Sequence, residues 1–334
     1  MKEIYSNQRE TFLLTWQLTS MCNFSCDYCP DDLHDNMVGF PNYELVLNFI
    51  KELSKKHKKV YVDLLGGETT LWPQLLDFLK EIKKLSNVMV IIETNGSRST
   101  RWWEEFSKLE LDMNVHVDFT YHASFCDEDL YYNNLKTIHE KYQVTSSFML
   151  HPLHFDKVTN LYKRVKENLA VDCVYKVLRD KLSTTTLYPG YTPEMLKEVD
   201  KPASHMIYDS NDKKFPPKKS NILRPPSTLF VDGEKTNWQT FFLEKKHQFK
   251  NWKCSAGFKR LYISLDGSIW PCTAITDSGN KNTIINKLNE NYMGNVFEGT
   301  YKVRENYMSC PMNFCGCKMD AVLHKYKDEA LTTI

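Results

Sequence analysis

Six short apolar runs, each followed by a stretch of helical periodicity, limit what the first half of this chain can become. The runs are rich in β-branched and aromatic residues and lie at Phe12–Leu18, Val60–Leu65, Val88–Ile92, Val115–Tyr121, Val144–Leu150 and Val171–Leu178. Between them, apolar residues recur at helical spacing: Leu45, Val46, Phe49, Ile50 and Leu53, then Leu75, Phe78, Leu79 and Ile82. Trp102, Trp103, Phe106 and Leu109 repeat the pattern, as do Leu130, Leu135, Ile138 and Tyr142, and Val158, Leu161, Tyr162, Val165 and Leu169. Continuous or alternating runs read as strands and the wider spacing as helices. Pro73 suits the first turn of its helix, where its missing N–H has no intrahelical partner anyway. The alternation predicts βαβ units around a parallel sheet, which is α/β architecture. In barrels of such units the chemistry sits at the C-terminal ends of the strands, so the residues leaving each run carry the functional signal.

Leaving the first run is Cys22-Asn23-Phe24-Ser25-Cys26-Asp27-Tyr28-Cys29, three thiols in a CxxxCxxC spacing. Three close thiolates can hold three irons of a four-iron, four-sulfur cluster and leave the fourth iron open to a small molecule. A structural zinc site wants four closed ligands, and no nearby Cys or His stands in a spacing that completes one. Inert buried cysteines are the other plain alternative. A disulfide framework suits small secreted domains. This chain has 334 residues and a polar Met1–Glu10 segment without the apolar core of a signal peptide. No apolar run approaches the roughly 20 residues that span a bilayer. The ten cysteines therefore read as residents of a reducing cytoplasm, where clustered thiols mean metal or redox chemistry. A formal net charge of +1 supplies no global field for nucleic acid or an anionic membrane. The Lys-rich pieces Lys55–Lys59 and Lys213–Lys219 read as solvated surface.

The cysteine spacing after an N-terminal strand resembles the radical S-adenosylmethionine superfamily. The resemblance implies a partial (β/α)6, TIM-like barrel, into which the six repeats fit. It implies that Cys22, Cys26 and Cys29 hold a catalytic four-iron, four-sulfur cluster. The open iron would chelate the amino and carboxylate groups of S-adenosylmethionine, and an electron would cleave this cofactor to a 5′-deoxyadenosyl radical. Tyr28, inside the motif, is carried over as a cofactor contact. Gly66-Gly67-Glu68 follows the second run; alone it is a turn, since paired glycines reach positive φ easily. In the resembled family this segment meets the cofactor amino group, with the carboxylate or backbone carbonyls accepting its protons. Many relatives carry Pro after the Glu, and Thr69 stands there instead. Glu93-Thr94-Asn95-Gly96 leaves the third run, so Asn95 is either a turn residue or a cofactor contact. His122 and Ser124 leave the fourth run and are candidates for the ribose or methionine. His151 and His154 leave the fifth and are candidate substrate contacts. Arg179 ends the sixth, where a guanidinium could grip the cofactor carboxylate.

Residues 182–250 change character, with clustered prolines among Asp, Asn, Lys and Ser. They read as an irregular connection, of the kind that serves as a lid or substrate-binding loop. Short helices are expected near Pro193–Val199 and Trp238–Lys246. A second cysteine constellation follows. Cys254, Gly267 and Cys272 stand in a CX12GX4C spacing, with Leu261–Leu265 and Ser268–Trp270 predicted to form a hairpin turning at Asp266-Gly267. The hairpin should bring Cys254 and Cys272 together. Cys310, Cys315 and Cys317 follow near the C-terminus. The set resembles the auxiliary-cluster extension of radical S-adenosylmethionine enzymes, in its shorter twitch form rather than the SPASM form. The late CX4CXC departs from the usual CxxC pair, so one of five thiols is spare or the coordination is unusual. The favoured ligands are Cys254, Cys272, Cys315 and Cys317, with Cys310 the less favoured candidate. A zinc ribbon is the alternative at this site. Cys126 and Cys173 lie outside both groups and read as buried inert thiols, or as hydrogen-atom donors to a substrate radical.

The expected organisation is a barrel core over 1–181, the connection over 182–250, and a β-hairpin plus helix auxiliary-cluster domain over 251–334. The expected activity is an iron–sulfur oxidoreductase that abstracts a hydrogen atom from a small molecule or peptide, for dehydrogenation, epimerisation or bond formation. A flavodoxin or ferredoxin would supply the electron. Only about a dozen residues precede the first run, which favours a small molecule or a peptide bound directly in the barrel. A maturase of a ribosomally made peptide is the neighbouring reading. A non-enzymatic iron–sulfur or zinc sensor is a rival of another class. An RNA-modifying enzyme is set back by the neutral charge.

Overall fold

The structure is a computed structural model that describes residues 1–6, 10–111, 115–179, 187–199, 228–237, 241, 245–275, 290–315 and 317–328. It divides into two compact units, one of residues 1–17, 48–62 and 223–334, the other of residues 18–47 and 63–222.

The strands, in chain order, begin with β1 (Glu3–Ser6), β2 (Thr11–Gln17), β3 (Lys59–Leu65), β4 (Val88–Thr94), β5 (Val115–Tyr121), β6 (Gln143–Leu150) and β7 (Asp172–Val177). β8 (Thr228–Val231), β9 (Glu234–Asn237), β10 (Lys253–Cys254), β11 (Arg260–Ile263) and β12 (Ile269–Trp270) follow, then β13 (Gly294–Asn295), β14 (Thr300–Tyr301), β15 (Met308–Ser309) and β16 (Lys325–Tyr326). The helices are α1 (Tyr43–Lys56), α2 (Leu75–Ile82), α3 (Thr100–Ser107), α4 (Glu128–Ile138), α5 (Phe155–Asn168), α6 (Pro193–Val199) and α7 (Lys318–Ala321).

The unit of residues 18–47 and 63–222 carries the strand–helix repeat. From the end of β3 its strands run β3-β4-β5-β6-β7, and β4 to β7 pair in parallel. The helices bury the apolar faces read from the sequence: Leu75, Phe78, Leu79 and Ile82 from α2, Trp103 and Phe106 from α3, and Leu135 and Ile138 from α4. Each large side chain so buried contributes on the order of 1.5–3 kcal/mol. Ser99 and Asp127 cap α3 and α4 by accepting from the backbone N–H of Trp102 and Leu130. This is an α/β fold of the expected kind. Two details differ. In α1, Val46, Phe49, Ile50 and Leu53 are buried as expected, while Leu45 is exposed and Leu47 is buried in its place. Pro73 stands two residues before α2 begins, in the turn that leads into it.

The other unit contains more sheet than the sequence pattern suggests. β11 joins β2 in parallel and pairs with β12 as the expected hairpin. A six-stranded sheet runs β15-β10-β16-β1-β8-β9, with each neighbouring pair antiparallel. The stretch expected to be an irregular connection thus includes a hairpin. β8 and β9 turn at Asp232-Gly233, both at positive φ, a turn signal within the polar segment that the composition obscured. Helix α6 lies where expected. The helix expected near Trp238–Lys246 falls largely outside the described residues. Among the described residues no helix is long and apolar enough to cross a membrane.

Candidate functional site

The loop that leaves β2 carries Cys22, Cys26 and Cys29, and backbone hydrogen bonds explain its shape. Gly67 N–H donates to the Thr19 carbonyl at 2.8 Å and Glu68 N–H to the Met21 carbonyl at 2.8 Å. The Gly66-Gly67-Glu68 strap is therefore laid along the chain that enters the cysteine loop. A Cβ on Gly66 would come within 2.6 Å of the Thr19 carbonyl oxygen, and one on Gly67 would drive into that of Met21. Only glycine permits this approach. Within the loop, Cys29 N–H donates to the Cys26 carbonyl at 3.0 Å, Phe24 N–H reaches Cys22 Sγ at 3.4 Å and Asn36 Oδ1 accepts from Cys22 N–H at 2.8 Å.

Glu68 is fully buried, and its carboxylate faces the protein. Oε1 accepts from Thr70 N–H at 2.9 Å, from Thr70 Oγ1 at 2.5 Å and from Thr94 Oγ1 at 2.7 Å. Oε2 accepts from Asn95 N–H at 2.6 Å. The carboxylate thus ties the strap after β3 to the end of β4. Asn95 continues the tie by donating from Nδ2 to Asn23 Oδ1 at 2.9 Å, and Asn23 Nδ2 donates to Ser97 Oγ at 2.8 Å. Sequence reasoning missed Asn23 and Asn36. Asn36 sits at positive φ, a conformation in which Asn is enriched but which its residue type alone does not announce.

His122 lies against the loop. Its Nδ1 stands 2.7 Å from Tyr28 Oη and 3.5 Å from Cys26 Sγ, and its ring stacks on Tyr28 at 5.9 Å. Burial, with a smaller push from the Lys176 charge, lowers His122 to about 4, so the ring is neutral at pH 7. His151 is buried with its ring 6.0 Å from Tyr28, 5.2 Å from Tyr188 and 5.0 Å from His154. Tyr188 Oη donates to Asp27 Oδ2 at 2.5 Å. Ser124 is exposed in the turn after β5, and Arg179 forms a short antiparallel bridge to Leu187. Cys126 is buried with Sγ 3.5 Å from the Asn95 carbonyl oxygen, and Cys173 is buried in β7.

The radical SAM superfamily profile matches residues 16–202. The chain belongs to the radical SAM superfamily. It is similar to a GTP 3',8-cyclase of Mannheimia succiniciproducens, 27% identical over 176 residues that cover 47% of this chain and 51% of the relative. It is also similar to a tungsten-containing aldehyde ferredoxin oxidoreductase cofactor-modifying protein of Pyrococcus furiosus, 29% identical over 100 residues that cover 29% of this chain and 28% of the relative. The chain spans about half, or less, of the length of these curated relatives. Among solved structures it resembles native anSMEcpe with bound AdoMet and Kp18Cys peptide, with 15% identity, a TM-score of 0.53, and coverage of 87% of this chain and 79% of the other. That likeness is one of fold. Membership makes this chain a radical SAM enzyme, with a four-iron, four-sulfur cluster and S-adenosylmethionine as its cofactors.

The donor set of the radical SAM loop fits such a cluster. Burial pushes the Cys26 thiol up to about 11 and the Cys29 thiol to about 12, and the neighbouring thiols add to both. Cys22 moves the same way. Three thiols that resist ionisation because they lie buried beside one another are relieved by a cationic partner. Among the described residues no three His, Cys, Asp or Glu side chains converge on one ion-sized point. A polynuclear cluster does not require that, because each thiolate takes a different iron.

The second cysteine group gathers in the other unit. Cys254, Cys272, Cys310 and Cys315 line one small cavity with Asp320 and Lys325. The hairpin thus brings Cys254 and Cys272 to one place, and Cys310 stands with them. Cys317 is half-buried and feels the Asp320 charge. Burial raises all five thiols, while Lys325 draws Cys254, Cys310 and Cys315 back down. Arg260, fully buried, donates from Nε to Asp320 Oδ1 at 3.1 Å and from Nη1 to Thr15 Oγ1 at 2.6 Å. Asp320 Oδ2 accepts from Thr273 N–H at 2.9 Å and from the Thr273 hydroxyl. These thiols also suit an iron–sulfur cluster, in which each thiolate takes a different iron.

Proposed function

We propose that this radical SAM enzyme abstracts a hydrogen atom from its substrate for a redox-type transformation: dehydrogenation, epimerisation or bond formation on a peptide or small molecule. The observation that carries the reading is the backbone locking of the three-cysteine loop to the Gly66-Gly67-Glu68 strap. In this reading Cys22, Cys26 and Cys29 hold the catalytic cluster, and the bound cluster and S-adenosylmethionine supply the 5′-deoxyadenosyl radical. The strap offers its backbone to the cofactor amino group, while the Glu68 carboxylate acts through Thr70, Thr94 and Asn95 as a positioning residue. His122 and Tyr28 form the wall beside Cys26. Cys254, Cys272, Cys310 and Cys315, with Cys317 beside them, hold an auxiliary iron–sulfur cluster. Residues 1–181 carry the radical chemistry, 182–250 connect, and 251–334 carry the auxiliary site. A peptide substrate is supported by the Kp18Cys peptide bound in the similarly folded anSMEcpe. A cytoplasmic flavodoxin or ferredoxin is the proposed reductant.

The test is anaerobic reconstitution, with iron, sulfide and zinc counted per chain and 5′-deoxyadenosine measured after reduction. About eight irons are expected, falling to about four with loss of 5′-deoxyadenosine in a Cys22/Cys26/Cys29→Ala variant. About four irons and one zinc would make the second site structural. Iron without cofactor cleavage would return the chain to a binding or sensing role.

A further inference from the structure

Lys325 is a charged side chain aimed at the second cysteine group that forms no ion pair with a described carboxylate, although the Asp320 charge is felt across the same cavity. β10 and β16 pair antiparallel with Cys254 directly opposite Lys325. Directly paired residues project from the same face of a sheet with Cβ atoms about 5 Å apart. The side chain is 1% exposed and lines the same cavity as Cys254, Cys272, Cys310 and Cys315. Its Nζ donates to the carbonyl oxygens of Asp320 at 2.5 Å, Ala321 at 3.1 Å and Leu323 at 3.4 Å. The Phe249 ring lies 4.9 Å from it. An ammonium has three donors, and all three are taken by backbone. Lys325 therefore offers the thiols a fixed charge and not a hydrogen bond. The other buried cation, Arg260, is paired with Asp320, and no described carboxylate oxygen lies within ion-pair distance of Lys325 Nζ.

We propose that Lys325 sets the reduction potential of an auxiliary iron–sulfur cluster held by this cysteine group, raising it so that the site takes an electron readily. The inference rests on the cluster reading given under Proposed function. Its physics is that of a buried counter-charge. A buried cation without an anionic partner is costly, and thiolates of a loaded site supply the missing negative charge. When the cluster gains one electron its net charge becomes one unit more negative. A fixed cation in a low-dielectric interior stabilises that more negative state by more than the oxidised one. Charge and hydrogen bonding around metal ligands tune potential in this way.

The experiment uses the full chain with Cys22, Cys26 and Cys29 changed to Ala, so that the remaining iron reports the second site alone. Reconstituted protein is titrated with dithionite under electron paramagnetic resonance, with iron and zinc counted on each sample. Lys325→Met keeps length and removes charge, and a lower midpoint potential is expected at unchanged iron content. Lys325→Arg keeps the charge and should restore the midpoint, which a merely structural role of the side chain would not predict. If Lys325→Met fails to retain iron, Lys325→Gln is titrated in its place. Unchanged midpoints with iron present overturn the tuning and leave the cluster reading intact. Zinc in place of iron overturns both.

Discussion

Glu68 commits both carboxylate oxygens to the protein, and its proposed role in the reaction is therefore positional. Glu68→Gln replaces an acceptor by an amide donor in a shell made of donors. One of the Thr70, Thr94 or Asn95 groups loses its partner, at a cost of about 1–3 kcal/mol. Cofactor affinity measured by titration calorimetry should fall, while iron content stays close to that of the parent. Gly67→Ala acts on the same strap by collision with Met21; overpacking of this kind costs roughly 1–3 kcal/mol, and both iron retention and cofactor cleavage should drop. The thiols give a pH prediction. Cys26 at about 11, against an ordinary 9.0, has about a hundredfold less thiolate at pH 8 than a free thiol. In metal-free protein, iodoacetamide should label it correspondingly slowly, with a rate that climbs until about pH 11. The sign for stability follows. The unfolded chain releases these protons near pH 9 while the folded one keeps them, so metal-free protein loses stability as pH rises from about 9 towards 11–12. Denaturant melts across that range measure it.

The hairpin of β11 and β12 is the element on which the second site hangs. Gly267 turns it at φ +81, and a Cβ there would meet the Phe297 ring and stand 2.8 Å from Asn295 Oδ1. The CX12GX4C spacing thus needs its glycine for both backbone conformation and packing. Gly267→Ala should lower the thermal midpoint of the reconstituted protein. It should also reduce the iron bound by a Cys22/Cys26/Cys29→Ala background, in which only the second site is loaded. The equivalent element at the first site is the cysteine loop, whose shape comes from strands that are neighbours in the sheet and distant in sequence. Its ties run through Thr19, Met21 and Asn36 within the loop region and through Asn95 from the end of β4.

At the scale of the molecule, each cysteine group belongs to its own compact unit, so the two metal sites should be separable. Removing the first three thiols should abolish 5′-deoxyadenosine formation and leave the second site's iron in place, whereas Cys254→Ala with Cys272→Ala should do the reverse to the iron count. The strand–helix repeat, the CxxxCxxC loop, the strap and the turn at Asp266-Gly267 were legible in the sequence. Each is local: a period, a spacing or a turn signal is written in consecutive residues, and period, length and residue type together separate helix from strand. The pairing of β1 with β16 and β8 in one sheet, the parallel seat of β11 beside β2 in another, and the hairpin at Asp232-Gly233 were not legible. Short strands carry little period, and, the hairpin apart, their partners lie hundreds of residues away. The same holds for the sites. The resemblance nominated Glu68 as a cofactor contact and ranked Cys310 as the less favoured ligand, because a sequence names donors without saying where they point. Only the folded chain turned the Glu68 carboxylate inward, set Cys310 on the cavity wall and placed Lys325 opposite Cys254, since burial and hydrogen-bond partners are properties of neighbours in space.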